Sequence, residues 1–142
     1  MKKYSIVLYT NVLISALRSK RGSSFQLISL LEQDKFKINI SVPLILEYES
    51  IINRELNTLD IDKKDMDIIL DYICTIGTKF NIFYLWRPFL KDPKDDFILE
   101  LAYTSDSGFI ITFNKKDFRG AEKFGIKILS PQEFIKLLEK KK

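Results

Sequence analysis

Phe109-Ile110-Ile111-Thr112-Phe113 is a continuous apolar run followed by the polar group Asn114-Lys115-Lys116-Asp117. A strand with one wet face alternates apolar and polar residues. A strand buried on both faces does not, because helices cover the sheet above and below. The run over 109–113 therefore reads as an interior strand of a parallel sheet, and the elements around it supply the covering helices.

Toward the C-terminus, residues 126–129 form a further short strand. Ser130-Pro131-Gln132-Glu133 then combines a capping box with proline at the first helical position, which opens a terminal helix. Toward the N-terminus, Asp92-Pro93-Lys94-Asp95 is another helix start, with a cap, a proline and a first-turn acid. The helix after it buries Phe97, Ile98, Leu101 and Ala102. Residues 80–85 (Phe-Asn-Ile-Phe-Tyr-Leu) read as a strand. Asp62 and Asp65 have capping spacing and open a helix carrying Met66, Ile69, Leu70, Ile73 and Ile76, which stops near Gly77. Ser41, two residues before Pro43, starts a helix that runs to about Leu56. Residues 36–40 alternate like a strand, 12–17 and 24–31 have helical spacing around a Gly22-Ser23 break, and 4–8 form a first strand. Strand and helix alternate from end to end, with no repeat and no linker. The expectation is one α/β domain over residues 1–142, its mostly parallel sheet covered on both faces.

Composition narrows the chemistry. The 142 residues include one cysteine, Cys74, and no histidine. Ser-His and Cys-His nucleophilic catalysis, Cys/His zinc sites and histidine proton shuttles are excluded. A metal would be a hard cation on oxygen ligands, Mg²⁺ or Mn²⁺. The net charge of +4 permits a nucleic-acid partner without requiring one. Lys140, Lys141 and Lys142 read as a solvated tail. No apolar stretch approaches the ~20 residues of a membrane span, and Thr10 and Asn11 break the first apolar run before it could act as a secretory signal. A cytoplasmic protein is expected.

In parallel α/β folds the ligand site lies beyond the carboxyl ends of the strands. The polar residues there are Tyr9, Thr10 and Asn11 after the first strand, Glu47 in the helix after the second, Asp95 and Asp96 at a helix start, and Asn114, Lys115, Lys116 and Asp117 after 109–113. Carboxylates gathered at one rim repel unless a cation sits among them or one is protonated. Each residue also has an ordinary reading: Asp95 as a first-turn acid, Glu47 as a helix-edge residue, Asp117 as a turn acid, Lys115-Lys116 as a solvated pair, Tyr9 as a rim aromatic. Residue types alone leave both readings open.

The order of the pieces resembles the PIN-domain family, and within it the VapC-like toxins of toxin–antitoxin pairs. The stretch Ile6-Val7-Leu8-Tyr9-Thr10-Asn11-Val12-Leu13 resembles the family's opening motif, Leu46-Glu47-Tyr48 its second, Asp92-Pro93-Lys94-Asp95-Asp96-Phe97 its third, and Ile110-Ile111-Thr112-Phe113-Asn114-Lys115-Lys116-Asp117 its fourth. Ile128 to Phe134 resembles the family's last strand and helix. The resemblance implies a PIN-like three-layer α/β/α domain with a twisted sheet of roughly four to five strands. It implies a metal-dependent endoribonuclease toxin, silenced by a cognate antitoxin protein, with RNA as substrate and a homodimer as the expected assembly. It carries over Glu47, Asp95 and Asp117 as ligands to Mg²⁺ or Mn²⁺. Asn114 carries over as a ligand or water-positioning amide, and Thr10 and Asn11 as supporting hydrogen-bonders. Only one of Asp95 and Asp96 can match the third acid. Asp95 is favoured because its intervals to Ala102 and Thr112 fit. The implied antitoxin surface is formed by the helices between Ser23 and Leu56 plus the pocket rim.

One departure stands out. The family's first-strand acid is aspartate, and this chain has Tyr9. Tyrosine is neutral at pH 7 and a poor Mg²⁺ ligand. An inactive or impaired site is expected, with the Tyr9 hydroxyl near Asp95 or Asp117, donating a hydrogen bond in place of the metal. Aspartate and tyrosine codons differ by one base, so an inactivating change and a naturally degenerate member kept for binding antitoxin or RNA both fit. A receiver domain or a dehalogenase-type phosphatase needs acids directly after strand one, which Tyr9-Thr10-Asn11 lacks. A dinucleotide-binding domain needs a glycine-rich turn there, and none of the five glycines occupies it.

Overall fold

The computed structural model describes residues 3–82, 90 and 92–140. Strand β1 (Tyr4–Leu8) is the centre of a five-stranded sheet. Strand β2 (Phe36–Ile40) and then β3 (Thr78–Lys79) lie on one side of it, and β4 (Phe109–Ile111) and then β5 (Lys127–Leu129) on the other. Every neighbouring pair is parallel. Ile6 and Val7 of β1 and Ile110 and Ile111 of β4 have no exposed surface, which is why both strands read as unbroken apolar runs. Helices cover both faces in three α/β/α layers.

Helix α1 (Thr10–Arg18) and helix α2 (Ser23–Leu30) connect β1 to β2. Helix α3 (Val42–Arg54), the one-turn α4 (Leu56–Leu59) and α5 (Lys63–Ile76) follow β2. Helix α6 (Asp96–Thr104) packs against β1, β2 and β4, and α7 (Pro131–Lys140) closes the chain. The helix starts obey their caps. The Leu44 N–H donates to Ser41 Oγ at 3.4 Å, at the start of α3. A reciprocal box joins Asp62 and Asp65, with N–H donors at 2.8 and 3.2 Å. A second box joins Ser130 and Glu133, at 2.9 and 3.2 Å. Gly77 is the C-cap of α5, and glycine suits it because a Cβ there would stand 2.9 Å from the Ile73 carbonyl oxygen.

Pairing of Tyr4 with Phe36, and of Ile6 with Phe109, places these side chains on one face of the sheet. Phe134 of α7 meets them there. Its ring centroid lies 5.3 Å from Phe36, 5.6 Å from Phe109 and 6.1 Å from Tyr4. Edge-on aromatic contacts of this kind add about 0.5–1.5 kcal/mol each beyond area burial. The amino-edge end of the sheet is thereby sealed with rings, while polar residues occupy the carboxyl edge.

Three boundaries differ from the sequence reading. The strand expected over 80–85 is instead β3 at Thr78–Lys79, and Phe80, Asn81 and Ile82 are not strand; residues 83–85 lie outside the described residues. The reason is the neighbour: β2 ends at Ile40, whose carbonyl takes the Phe80 N–H at 2.9 Å, and Ser41 then caps α3. The run 109–113 is strand only to Ile111, after which the Thr112 N–H bonds the Leu129 carbonyl at 2.9 Å. The helix after Asp92-Pro93 begins as a 3₁₀ turn over Pro93–Asp95, so the α-helix itself starts at Asp96.

Candidate active site

Leu8 is the last residue of β1 and pairs with Ile111, the last of β4. Tyr9 follows, donating its N–H to the Ile111 carbonyl at 2.9 Å and occupying the N-cap of α1. This places its side chain at the carboxyl edge, at the centre of the sheet. The ring packs edge-on against Phe118 at 5.4 Å between centroids. The hydroxyl donates to Asp95 Oδ1 at 2.6 Å. The expected proximity of the Tyr9 hydroxyl to a site acid is thus seen, with Asp95 as the partner.

Asp95 is only 6% exposed. Burial raises its carboxyl above the ordinary aspartate value; the Tyr9 hydrogen bond opposes this, and repulsion from Asp92, Asp117 and Glu47 adds to it. The Tyr9 phenol is pushed far above its usual range, first by burial, then by its bond to Asp95 and by the negative charges of Asp95, Glu47 and Asp117. Tyr9 is therefore a hydrogen-bond donor at every ordinary pH. These mutual influences also show that Glu47 and Asp117 share one electrostatic neighbourhood with Tyr9 and Asp95.

Glu47 is held by two devices. Thr10, the first residue of α1, donates its hydroxyl to Glu47 Oε2. The adjacent Tyr48, fully buried, donates its hydroxyl to the Leu8 carbonyl, pinning α3 to the end of β1. Asn11 donates Nδ2 to Thr112 Oγ1 at 3.4 Å, and the same hydroxyl accepts the Asn114 N–H at 3.1 Å. Thr112, fully buried, is thus a hub between the ends of β1 and β4. The Asn11 Oδ1 is buried with no hydrogen-bond partner among the described residues. Asn114 is exposed, and Asp117 is half-buried in the 3₁₀ turn Lys115–Phe118. Asp96, 1% exposed, takes the Leu90 N–H on its Oδ1 at 2.8 Å and so ties Leu90 to the start of α6. Of the adjacent pair, it is Asp95 that meets Tyr9.

A divalent cation needs several oxygens converging at one point. Among the described residues no three acidic side chains are close enough to hold one. Asp95 is engaged by the Tyr9 hydroxyl, and Glu47 by Thr10. The Asn11 oxygen, buried without a hydrogen-bond partner among the described residues, does not make up the ligand set that a hard cation needs. With tyrosine at position 9 these residues do not fit Mg²⁺ or Mn²⁺.

A groove of about 550 Å³ leads away from this acidic end. Two helix faces form its walls. From α1 come Asn11, Ile14, Ser15 and Arg18, from α3 come Glu47, Ile51 and Arg54, and Glu55 caps the end of α3. Each set follows the three-and-four spacing of one helix stripe. Phe113 stands on the rim, 46% exposed. Arg18, Arg54 and Phe113 were not among the residues singled out in the sequence. Projecting one helical stripe onward from Asn11 and from Glu47 would have found both arginines.

A sequence model of the PIN domain matches residues 5–116 of this chain. No curated protein matches it. Among solved structures, a chain in the crystal structure of VapBC2 from Rickettsia felis bound to a DNA fragment from their promoter superimposes with a TM-score of 0.59 at 16% identity. The match covers 89% of this chain and 97% of that one. That likeness is one of fold. The match to the family runs from β1 through the turn after β4, the span that carries Tyr9, Glu47 and Asp95, and the chain belongs to the PIN-domain family.

Proposed function

We propose that this chain is the toxin component of a type II toxin–antitoxin pair, built on a metal-dependent endoribonuclease and held inactive or impaired by Tyr9. PIN domains are generally nucleases that use divalent metals. The observation that carries the silencing is the 2.6 Å hydrogen bond from the Tyr9 hydroxyl to Asp95 Oδ1. It occupies the acid that the resemblance assigns to the metal. Glu47, Asp95 and Asp117 are the proposed ligands once position 9 supplies a carboxylate. Asn114, Thr10 and Asn11 are the proposed supporting groups. RNA is the substrate, a cognate antitoxin protein the partner, a homodimer the assembly and the cytoplasm the compartment. No helix among the described residues is long and apolar enough to cross a membrane. The fold-level likeness to a chain of the VapBC2 structure supports the antitoxin partner by analogy.

The same hydrogen bond favours a second reading, a PIN-like module that binds antitoxin or RNA without cutting. Cleavage of a structured RNA, with Mn²⁺ or Mg²⁺ and with chelator, separates the two. The Tyr9 chain should give no chelator-sensitive cleavage, and Tyr9→Asp should gain about 100-fold or more, at least what an outer-shell partner of a metal contributes. Chelator-sensitive cleavage by the Tyr9 chain would overturn the silencing. No cleavage by Tyr9→Asp would favour the binding module.

A further inference from the structure

The sheet stops at β5, and its last strand is open on the outer side. Strand order puts β5 at the edge, with β4 as its one strand neighbour among the described residues. The Lys127 N–H donates to the Gly108 carbonyl at 2.9 Å, and the Leu129 carbonyl accepts the Thr112 N–H at 2.9 Å. In a parallel ladder alternate residues bond the neighbouring strand, so Lys127 and Leu129 face β4. The N–H and C=O of Ile128, between them, face outward, and no described residue bonds them. The Ile128 side chain lies on one face of the sheet, and those of Lys127 and Leu129 lie on the other. All three nevertheless line a single groove of about 410 Å³. Side chains of opposite faces share a groove where the sheet stops, so this groove runs along the open edge.

The charge beside the edge is one-sided. Arg119 follows the 3₁₀ turn Lys115–Phe118, and Lys127 begins β5. Both are exposed, line the groove and make no ion pair among the described residues. Lys115 is paired with Glu133. The acid in the lining, Glu122, accepts the Gly120 N–H at 3.2 Å. A short strand and a lysine keep an edge from pairing with its own kind. Two facing β5 edges would bring the Arg119 and Lys127 charges of both copies together, and like charges oppose that. The same cations attract an acidic chain. A phosphate backbone suits the cations but not the edge, because the outward Ile128 carbonyl is an acceptor and a phosphate offers it no donor. A peptide backbone supplies a donor and an acceptor together.

We infer that the β5 edge binds an extended acidic peptide segment of a partner protein, which adds a strand beside Ile128. The segment's backbone pairs with the outward N–H and C=O of Ile128. Lys127 takes acids on one face and the half-buried Ile128 takes apolar side chains on the other, so the matching pattern alternates acidic and apolar residues. Arg119 takes a further acid. In strand addition the main-chain bonds give the affinity, and the alternate side chains give the choice of partner. Neither the acids at the carboxyl edge nor the nuclease reading enters this inference.

The probe is a fluorescein-labelled heptapeptide alternating glutamate and valine, titrated by anisotropy with the whole chain. Two further peptides serve beside it, one alternating lysine and valine, the other the glutamate–valine peptide fully N-methylated on its backbone. The glutamate–valine peptide should bind, and added salt should weaken it. The lysine–valine and N-methylated peptides should bind about tenfold more weakly or worse. Arg119→Glu combined with Lys127→Glu should lose about tenfold or more. Ile128→Pro removes the outward N–H and no ladder bond, so it should keep the melting transition and lose about tenfold in affinity. If that variant does not fold, the N-methylated peptide decides the strand pairing by itself. No binding of the glutamate–valine peptide, equal binding of either other peptide, or unchanged affinity in the doubly charge-reversed chain would overturn the inference. A dimer in sedimentation that Ile128→Pro dissociates and the peptide does not displace would overturn it too, since the edge would then belong to a second copy. A single-stranded oligoribonucleotide that competes with the peptide at equal affinity would assign the cations to phosphate and overturn it as well.

Discussion

Tyr9 decides what the site can do, because it changes charge, shape and hydrogen bonding together. Its hydroxyl stands at the carboxyl edge of β1, where the family resemblance places a carboxylate, and donates to Asp95. Tyr9→Phe keeps the edge-on contact with Phe118 but removes the donor. It should destabilise the chain by about 1.5–3 kcal/mol, the range for a hydrogen bond to a charged acceptor, measured by urea denaturation. Asp95 gives the opposite sign. Burial makes it hold its proton more tightly folded than unfolded, where 3.8 is the ordinary value. Below that value both states are protonated and no stability is lost. As the pH rises from 3.8 through the folded value, the unfolded chain loses this proton first and stability falls; above the folded value both states are ionised and the full loss persists. Asp95→Asn should therefore raise the Tm by roughly 2–5 °C at pH 7, and have little effect below about pH 4. The amide oxygen can still accept from Tyr9. A Tm lowered by many degrees would mark Asp95 as a structural acid instead. In a Tyr9→Asp background the same Asp95→Asn change should abolish any cleavage.

At the scale of elements, the caps and the apolar periodicity were legible because they are local. Ser41, the Asp62–Asp65 pair and the Ser130–Glu133 pair all cap the helices they were expected to cap. Ser130→Ala should cost about 1 kcal/mol, read as a lower denaturation midpoint with an unchanged m-value. The misplaced strand at 80–85 shows the limit: its apolar run is genuine, but its pairing is fixed by where β2 stops, and β2 stops because Ser41 must cap α3. The same limit applied to the site. Tyr9, Glu47, Asp95 and Asp117 could be placed at one rim from strand order. That Asp96 instead serves the Leu90 N–H depends on the 3₁₀ turn before α6, which shifts the helix start by one turn. The groove arginines went unnoticed for a different reason: an arginine one or two turns into an amphipathic helix looks like solvated surface until a second helix is laid beside it.

At the scale of the whole molecule, the two edges of the sheet have opposite characters, and the stability of one frees the other to carry charge. Phe134 reaches Tyr4, Phe36 and Phe109, three side chains from the three central strands, so one ring registers β1, β2 and β4 against α7. It is fully buried. Against it, the carboxyl edge holds Asp95, Glu47 and Asp117 in mutual repulsion, a cost that a site accepts only where the surrounding core is secure. Phe134→Ala should remove about 3–5 kcal/mol, a large share of the ~5–15 kcal/mol that holds a domain of this size. Because the ring lies at the opposite edge from these acids, whatever fraction remains folded in a Tyr9→Asp background should cleave RNA at an unchanged rate. Urea titration gives the first quantity, and cleavage corrected for the folded fraction gives the second. A loss below about 1 kcal/mol would show that the aromatic seal does not organise the sheet. A change in rate per folded molecule would show that the two edges are coupled, and that the site depends on the register Phe134 sets.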